Sequence, residues 1–305
     1  MGTCKCNVGL GNTGTPTCQP IANVAKKLII IPTYDDAGVR NSIDLTATLD
    51  QAYFTAAVNN TDSSQRWFPL VNMENITNER ADSIFETAAS GRNALIREGF
   101  KAFAGEMWNQ SPAFLGKVKE ARCTDISAFV IDNDGNIIGS ETVAGFLYPI
   151  RINKASWDAK LVETTDTTVQ KVSLGFEWHE DAKDEDIRMI TSDEYTGDVV
   201  DMRGLLDITA VYTNITTTGF TATLSTIYGS PISLIKDKGL IITDFALAEL
   251  TPTPGAIVIT SVTESADGVY DFVIPSQTSA DVLELTPSKD GRDYTAVVAN
   301  TILIP

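Results

Sequence analysis

"FVIDNDGNIIG", Phe129 to Gly139, decides how the chain is to be read. Asp132, Asp134 and Asn136 alternate like the first ligands of a calcium-binding EF-hand loop. Such a loop also needs glycine at its sixth position and a bidentate glutamate at its twelfth. Here Gly135 stands fourth and Val143 twelfth, and the flanks "AFVI" and "NIIG" are apolar runs of strand-forming residues. Two such runs around Asp134-Gly135 predict a β-hairpin with a tight type I′ turn, because both central residues of that turn must tolerate positive φ.

The surrounding chain extends this strand reading. "AKKLIIIPTY" predicts a strand at Leu28 to Ile31 that ends at Pro32. In "NSIDLTATL" the residues Ile43, Leu45, Ala47 and Leu49 alternate with polar ones, the period of a half-buried strand. Trp67, Phe68, Leu70 and Val71 predict a further short strand. In "KVSLGFEW" Val172, Leu174, Phe176 and Trp178 alternate with Lys171, Ser173 and Glu177, a strand with one buried face. Helix is expected only near 78–122. Ala81, Ile84, Phe85 and Ala88 fall at helical spacing between a cap at Asn78 and a stop at Gly91, and "ALIREGFKAFAGEM" continues the pattern despite Gly99 and Gly105. A third short helix is expected after Ser111-Pro112, with Phe114, Leu115 and Val118 on its buried side.

The 305 residues are 43% hydrophobic and 21% charged, a globular composition with material for about two domains. A boundary is expected near "TGDVVDMRG". The next hundred or so residues carry turn signals at Gly219, Gly229-Ser230, Pro252 to Gly255, Asp267-Gly268 and Asp290-Gly291, and no helical periodicity. This spacing predicts a sandwich of the immunoglobulin or fibronectin kind. The expected organisation is a glycine-rich N-terminal arm at 1–24, a β-rich domain at 25–200 and an immunoglobulin-like β-sandwich at 204–305.

Little in the sequence supports catalysis. His179 is the one histidine, no nucleophile elbow, HExxH helix or phosphate loop occurs, and "GLGNTG" (Gly9 to Gly14) neither follows a strand nor keeps the dinucleotide spacing. No catalytic, cofactor-binding or metal-ligating residue is therefore assigned, and no cofactor is expected. Cys4, Cys6, Cys18 and Cys123 lack zinc-ribbon spacing, so ordinary thiols are favoured over a three-thiolate site. The acidic run Glu180, Asp181, Asp184, Glu185 and Asp186 reads as a solvated loop rather than a ligand cluster. Trp67, Trp108, Trp157 and Trp178 are expected to pack in the core rather than to stack sugars or bases. A net charge of −17 disfavours binding nucleic acid through its phosphates. No apolar run is long enough to span a membrane, and the start of the sequence has no secretory pattern, so assembly in the cytoplasm is the expectation.

The runs "SGRNALIREGFKAFAGEM" (Ser90 to Met107), "FLGKVKEARCTDISAFVIDNDGNIIG" (Phe114 to Gly139) and "KVSLGFEW" together resemble tail-tube and related virion structural proteins of bacteriophages, particularly those infecting Bacteroidota. The resemblance covers about Trp67 to Asp186. It implies a mainly β (α+β) subunit: a tube-type β-sandwich or barrel with one helical segment, plus the C-terminal sandwich. It further implies a homo-oligomeric ring, commonly of six and stacked into a tube. Other virion proteins would be its partners, and DNA would pass through an acidic lumen without specific binding, with Asp44 and Glu177 as lumen candidates. A phage capsid protein is the alternative within that class. A surface carbohydrate-binding or adhesion module is the alternative outside it.

Overall fold

The computed structural model describes residues 4–6, 18–230, 232–289, 292–293, 295–296 and 301–305. The chain is mainly β and divides into two units, Met1–Gly204 and Leu205–Pro305. Within the 1–24 arm, Cys4–Cys6 pairs antiparallel with Cys18–Pro20; Gly9 to Gly14 lie outside the described residues.

The first unit runs through β1 (Ala25–Pro32), α1 (Gln51–Val58), β2 (Glu74–Arg80), β3 (Ile84–Thr87), β4 (Asn93–Arg97), β5 (Lys101–Trp108), α2 (Pro112–Glu120), β6 (Ile126–Asp132), β7 (Ile137–Ser140), β8 (Asp158–Val162), β9 (Lys171–Glu177) and β10 (Ile187–Ile190). Two sheets result. One has the order β10-β7-β6-β1 followed by Phe68–Pro69, and the other has the order β8-β9-β5-β2. Strand alternation sends Leu28, Ile30, Ala128 and Val130 of the first sheet against Phe103, Met107, Val172, Leu174 and Phe176 of the second, forming one core. Strands β1 and β6 are buried on their other face too, as near-continuous apolar runs require. There the Phe54 ring of α1 lies 6.0 Å from Trp67, which lies 5.6 Å from Phe129. Helix α2 is capped by Ser111, whose Oγ accepts from Phe114 N at 3.3 Å, with Pro112 in its first turn. Its Val118 enters the core, and the Val118 carbonyl accepts from Trp157 Nε1 at 2.9 Å.

The opening stretch is a hairpin, β6-β7, but its turn is not type I′. Gly135 N donates to Asp132 O at 3.1 Å and Asp132 N to Asn136 O at 3.2 Å, and of the turn residues only Gly135 has positive φ, +84°. This is a three-residue loop: a type I turn closed by a left-handed glycine. The Asp132 carboxylate is fully buried. It accepts from the backbone of Asn23 (2.8 Å), Asp134 (2.9 Å) and Asn136 (2.8 Å) and from Asn136 Nδ2 (2.7 Å). The oxygens that a calcium ion would take are occupied by amides of the chain itself. The same backbone turn recurs at Asp35–Val39, closed by Gly38, and at Ala88–Arg92, closed by Gly91.

Two expectations are corrected here. The strand predicted from Ile43 to Leu49 stops after Ile43–Asp44, because Asp44 Oδ1 accepts from Thr46 N (2.8 Å) and Thr46 Oγ1 (2.6 Å) and turns the backbone. Of the helical segment expected near 78–122, only α2 is helix, apart from a single 3-10 turn after it; 74–108 is strand and turn, and α1 is a helix that no periodicity announced. Buried Phe103, Gly105 and Met107 alternate with Ala102, Ala104 and Glu106, a period of two. Gly91 is a hairpin turn rather than a helix stop.

The second unit contains β11 (Asp207–Thr216), β12 (Gly219–Gly229), β13 (Phe245–Thr251), β14 (Ser261–Ala266), β15 (Val269–Val273), β16 (Val282–Lys289) and β17 (Thr301–Leu303). One sheet runs β14-β15-β12-β11 and ends on Thr295–Ala296, which pairs parallel with β11; the other is built on β13-β16, with Gly255–Ile257 beside β13 and β17 beside β16. Phe220 and Phe272 stack at 4.7 Å, and Phe245 meets the Phe272 ring edge-on at 4.9 Å, so the two inner faces interlock as an immunoglobulin-like sandwich.

Candidate functional site

One surface feature that the fold does not use for itself is an arm. The β2-β5 ladder ends at Arg80 opposite Lys101, and Ala81 N then donates to Phe100 O at 2.9 Å. Beyond that point the two strands leave the sheet and continue as the β3-β4 ribbon, pairing Ile84 with Arg97, Phe85 with Leu95, Glu86 with Ala94 and Thr87 with Asn93. A register shift between Ile84 and Phe85 leaves Ile96 as the extra residue of a bulge. Gly99 is required where the strands part: a Cβ there would stand 1.7 Å from the Ala81 carbonyl oxygen.

Nearly every residue from Ala81 to Glu98 is exposed. The apolar ones lie on both faces of the ribbon, with Ile84 43%, Phe85 56%, Leu95 53% and Ile96 60% exposed. Charge clamps the base. Asp184 accepts from Arg80 Nε at 3.0 Å and lies 3.4 Å from Lys101 Nζ, while Arg80 Nη1 reaches the Gly99 carbonyl at 2.8 Å. The Arg80 hydrogen bond holds the Asp184 carboxyl below its ordinary range against partial burial, with the Lys101 charge adding to the effect. The Arg97 guanidinium lies 5.0 Å over the Phe100 ring.

The residues weighed from the sequence do not gather into a site. In the acidic run, Asp184 pairs with Arg80 and Lys101, and Asp181 pairs with Arg151 at 2.8 Å; those basic partners lie far away in sequence and were not anticipated. No group of three or more metal-ligating side chains occurs among the described residues. Cys123 is exposed, and the side chains of Cys4, Cys6 and Cys18 lie outside the described residues. Trp67, Trp157 and Trp178 are buried in the core, whereas Trp108 is 45% exposed. Asp44 and Glu177 lie in different sheets, half-exposed. The arm was missed because Ala81, Ile84, Phe85 and Ala88 satisfy a helical spacing; the flanking glycines, Gly91 and Gly99, were the available signal for a ribbon.

No family model matches the chain, and no curated protein does. Among solved structures it is similar to FdeC, an Escherichia coli adhesin, at 13% identity and a TM-score of 0.22 over 81% of this chain and 71% of that one. That likeness carries no weight for the fold or the function. The expectation of a ring-stacking tail-tube subunit, with a capsid protein as its alternative, is corrected: no family model and no curated protein supports it, and FdeC is described as an adhesin, not as a tail or shell protein. Of the strands in the runs that carried the tube reading, β5, β6, β7 and β9 are paired on both edges within the chain, and β4 pairs with β3 alone. β9 lies between β8 and β5, β7 between β6 and β10, and β1 between β6 and Phe68–Pro69.

Proposed function

We propose that the chain is a non-catalytic binding module of the adhesion class, which makes its contact with a protein surface through the 81–100 arm. The observation that carries this reading is the exposure of Ile84, Phe85, Leu95 and Ile96 on a ribbon of only two strands. A two-stranded hairpin is marginal by itself in water, and four large apolar side chains exposed on its two faces are surface that a partner would cover. Protein is favoured over glycan as the partner because three of the four tryptophans are spent on the core. A further copy of the chain is the first partner to test.

Phe85→Glu combined with Leu95→Glu is expected to leave folding within about 0.5 kcal/mol of wild type, since both side chains are exposed. The same variant is expected to abolish association. Sedimentation velocity over a range of concentrations checks this: wild type should shift to heavier species with concentration and the double variant should not. A wild-type chain that remains monomeric throughout, with arm amides unprotected from hydrogen exchange, would remove self-contact as the use of the arm.

A further inference from the structure

Residues 191–203 carry no helix and no strand, only a single bridge between Thr196 and Asp50, yet they lie against the α1 side of the first unit. Isolated hydrogen bonds and a few buried side chains attach it there. Ser192 N donates to Asn136 Oδ1 (3.1 Å), the Tyr195 hydroxyl to the Gly135 carbonyl, Thr196 N to Leu49 O (2.9 Å) and Asp198 N to Gln51 Oε1 (2.9 Å). Gly197 sits so close to the Phe54 ring that a Cβ would come within 2.7 Å of it, and Tyr195, Val199 and Met202 are buried. The last attachment is of a different kind. Lys27, on β1, is only 3% exposed, and its Nζ donates to the carbonyls of Val200 (2.6 Å) and Met202 (2.5 Å). A buried lysine in a β-sheet has no packing advantage over an apolar residue of its size, so its use here is the pair of carbonyls it holds.

We infer that residues 191–203 form a releasable strap, held on the first unit at the buried Lys27 amino group, and that opening it carries this lysine into water and is therefore coupled to proton uptake. Four charged groups act on Lys27: Asp201 and Asp198 on the strap, Lys26 beside it on its own strand, and Arg203 at the end of the strap. Burial pushes Lys27 down to about 8; Asp201 and then Asp198 oppose the shift, and Lys26 and Arg203 add to it. Once exposed, the amine regains its ordinary value of 10.5. The closed form therefore binds fewer protons than the open form between about pH 8 and 10.5, and raising the pH through that window tightens the strap. The strap ends where the first unit ends, at Gly204. Opening it would free 13 residues of chain ahead of the second unit, roughly 45 Å at full extension. This inference is independent of the arm.

Hydrogen exchange of the full chain, followed by mass spectrometry and corrected for intrinsic exchange rates, tests it. In wild type, protection of the 191–203 amides is expected to rise on the order of tenfold between pH 7.5 and 9.5. Lys27→Met should lose that pH response while the β5 and β9 amides keep theirs. An unchanged response in Lys27→Met, or a strap that exchanges only together with the whole unit, overturns the inference. Should Lys27→Met fail to fold, Asp198→Asn combined with Asp201→Asn carries the test. Without the two carboxylates the ammonium is held less well, so protection should fall several-fold at pH 7.5 and converge on wild type near pH 10. Equal protection at both pH values would count against Lys27 as the tie.

Discussion

Asp132→Ala is expected to lower the stability of the first unit by about 3–5 kcal/mol, because the buried backbone and side-chain amides of Asn136 and the part-buried backbone amides of Asn23 and Asp134 lose their acceptor together. Each unsatisfied buried donor costs about 1–3 kcal/mol, and the sum is reduced by whatever water enters the vacated space. In thermal unfolding this corresponds to a fall of roughly 6–15 °C in the transition of that unit. Asp132→Asn keeps one oxygen and loses the other, so about half the effect is expected. The same geometry predicts that added calcium leaves the melting temperature unchanged, since Asp132 has no lone pairs directed at open space. A calcium-dependent rise, or an alanine variant that melts with wild type, would show that the turn is held by something other than this carboxylate.

The second large effect is expected from Phe176→Ala, also about 3–5 kcal/mol, the usual range for deleting a buried aromatic ring. Phe176 stands at the centre of the sandwich core: its ring stacks on Phe103 at 5.1 Å and on Trp157 at 5.3 Å and meets Trp178 edge-on at 4.9 Å. Removing it leaves a cavity walled by three rings that belong to both sheet and loop, and none of them can move in without giving up a contact of its own. Phe176→Leu should cost less, about 1–2 kcal/mol, since most of the volume is restored. All four tryptophans lie in the first unit, so their fluorescence during denaturant unfolding follows that unit and no other. A midpoint within error of wild type for Phe176→Ala would mean that the cluster is not where this unit's stability resides.

The fold was legible where one face of a strand is buried and the other is wet. Val172, Leu174, Phe176 and Trp178 alternate without interruption, and β9 is found there. The Ser111-Pro112 start of α2 was legible because cap and first-turn chemistry are local. The 78–108 region was misread for a physical reason. Small residues, Ala102, Ala104 and Gly105, fill the positions that would have shown the period of two, and the arm beyond them buries neither face, so it carries no burial pattern at all. A ribbon built to be covered by something else writes its hydrophobic residues on both sides, and neither template describes it. The Asp44 turn was lost for the converse reason: the alternation is present, but a side chain two residues from Thr46 competes for the backbone. The candidate site was therefore less legible than the core, since the features that make it available to a partner are those that remove periodicity.

The thrice-used turn supplies its own control series. Asp35–Val39, Ala88–Arg92 and Asp132–Asn136 share one backbone shape, each closed by a left-handed glycine, and differ in the first residue. Asp132 is sealed from water, Asp35 offers Oδ1 to Ala37 N (3.0 Å) and Val39 N (2.7 Å) at the surface, and Ala88 offers nothing. Amide exchange across the three should therefore rank 132–136 slowest, 35–39 intermediate and 88–92 fastest. The tip of the arm keeps the freedom to remodel against whatever it meets, while the same bend elsewhere serves as a fixed corner.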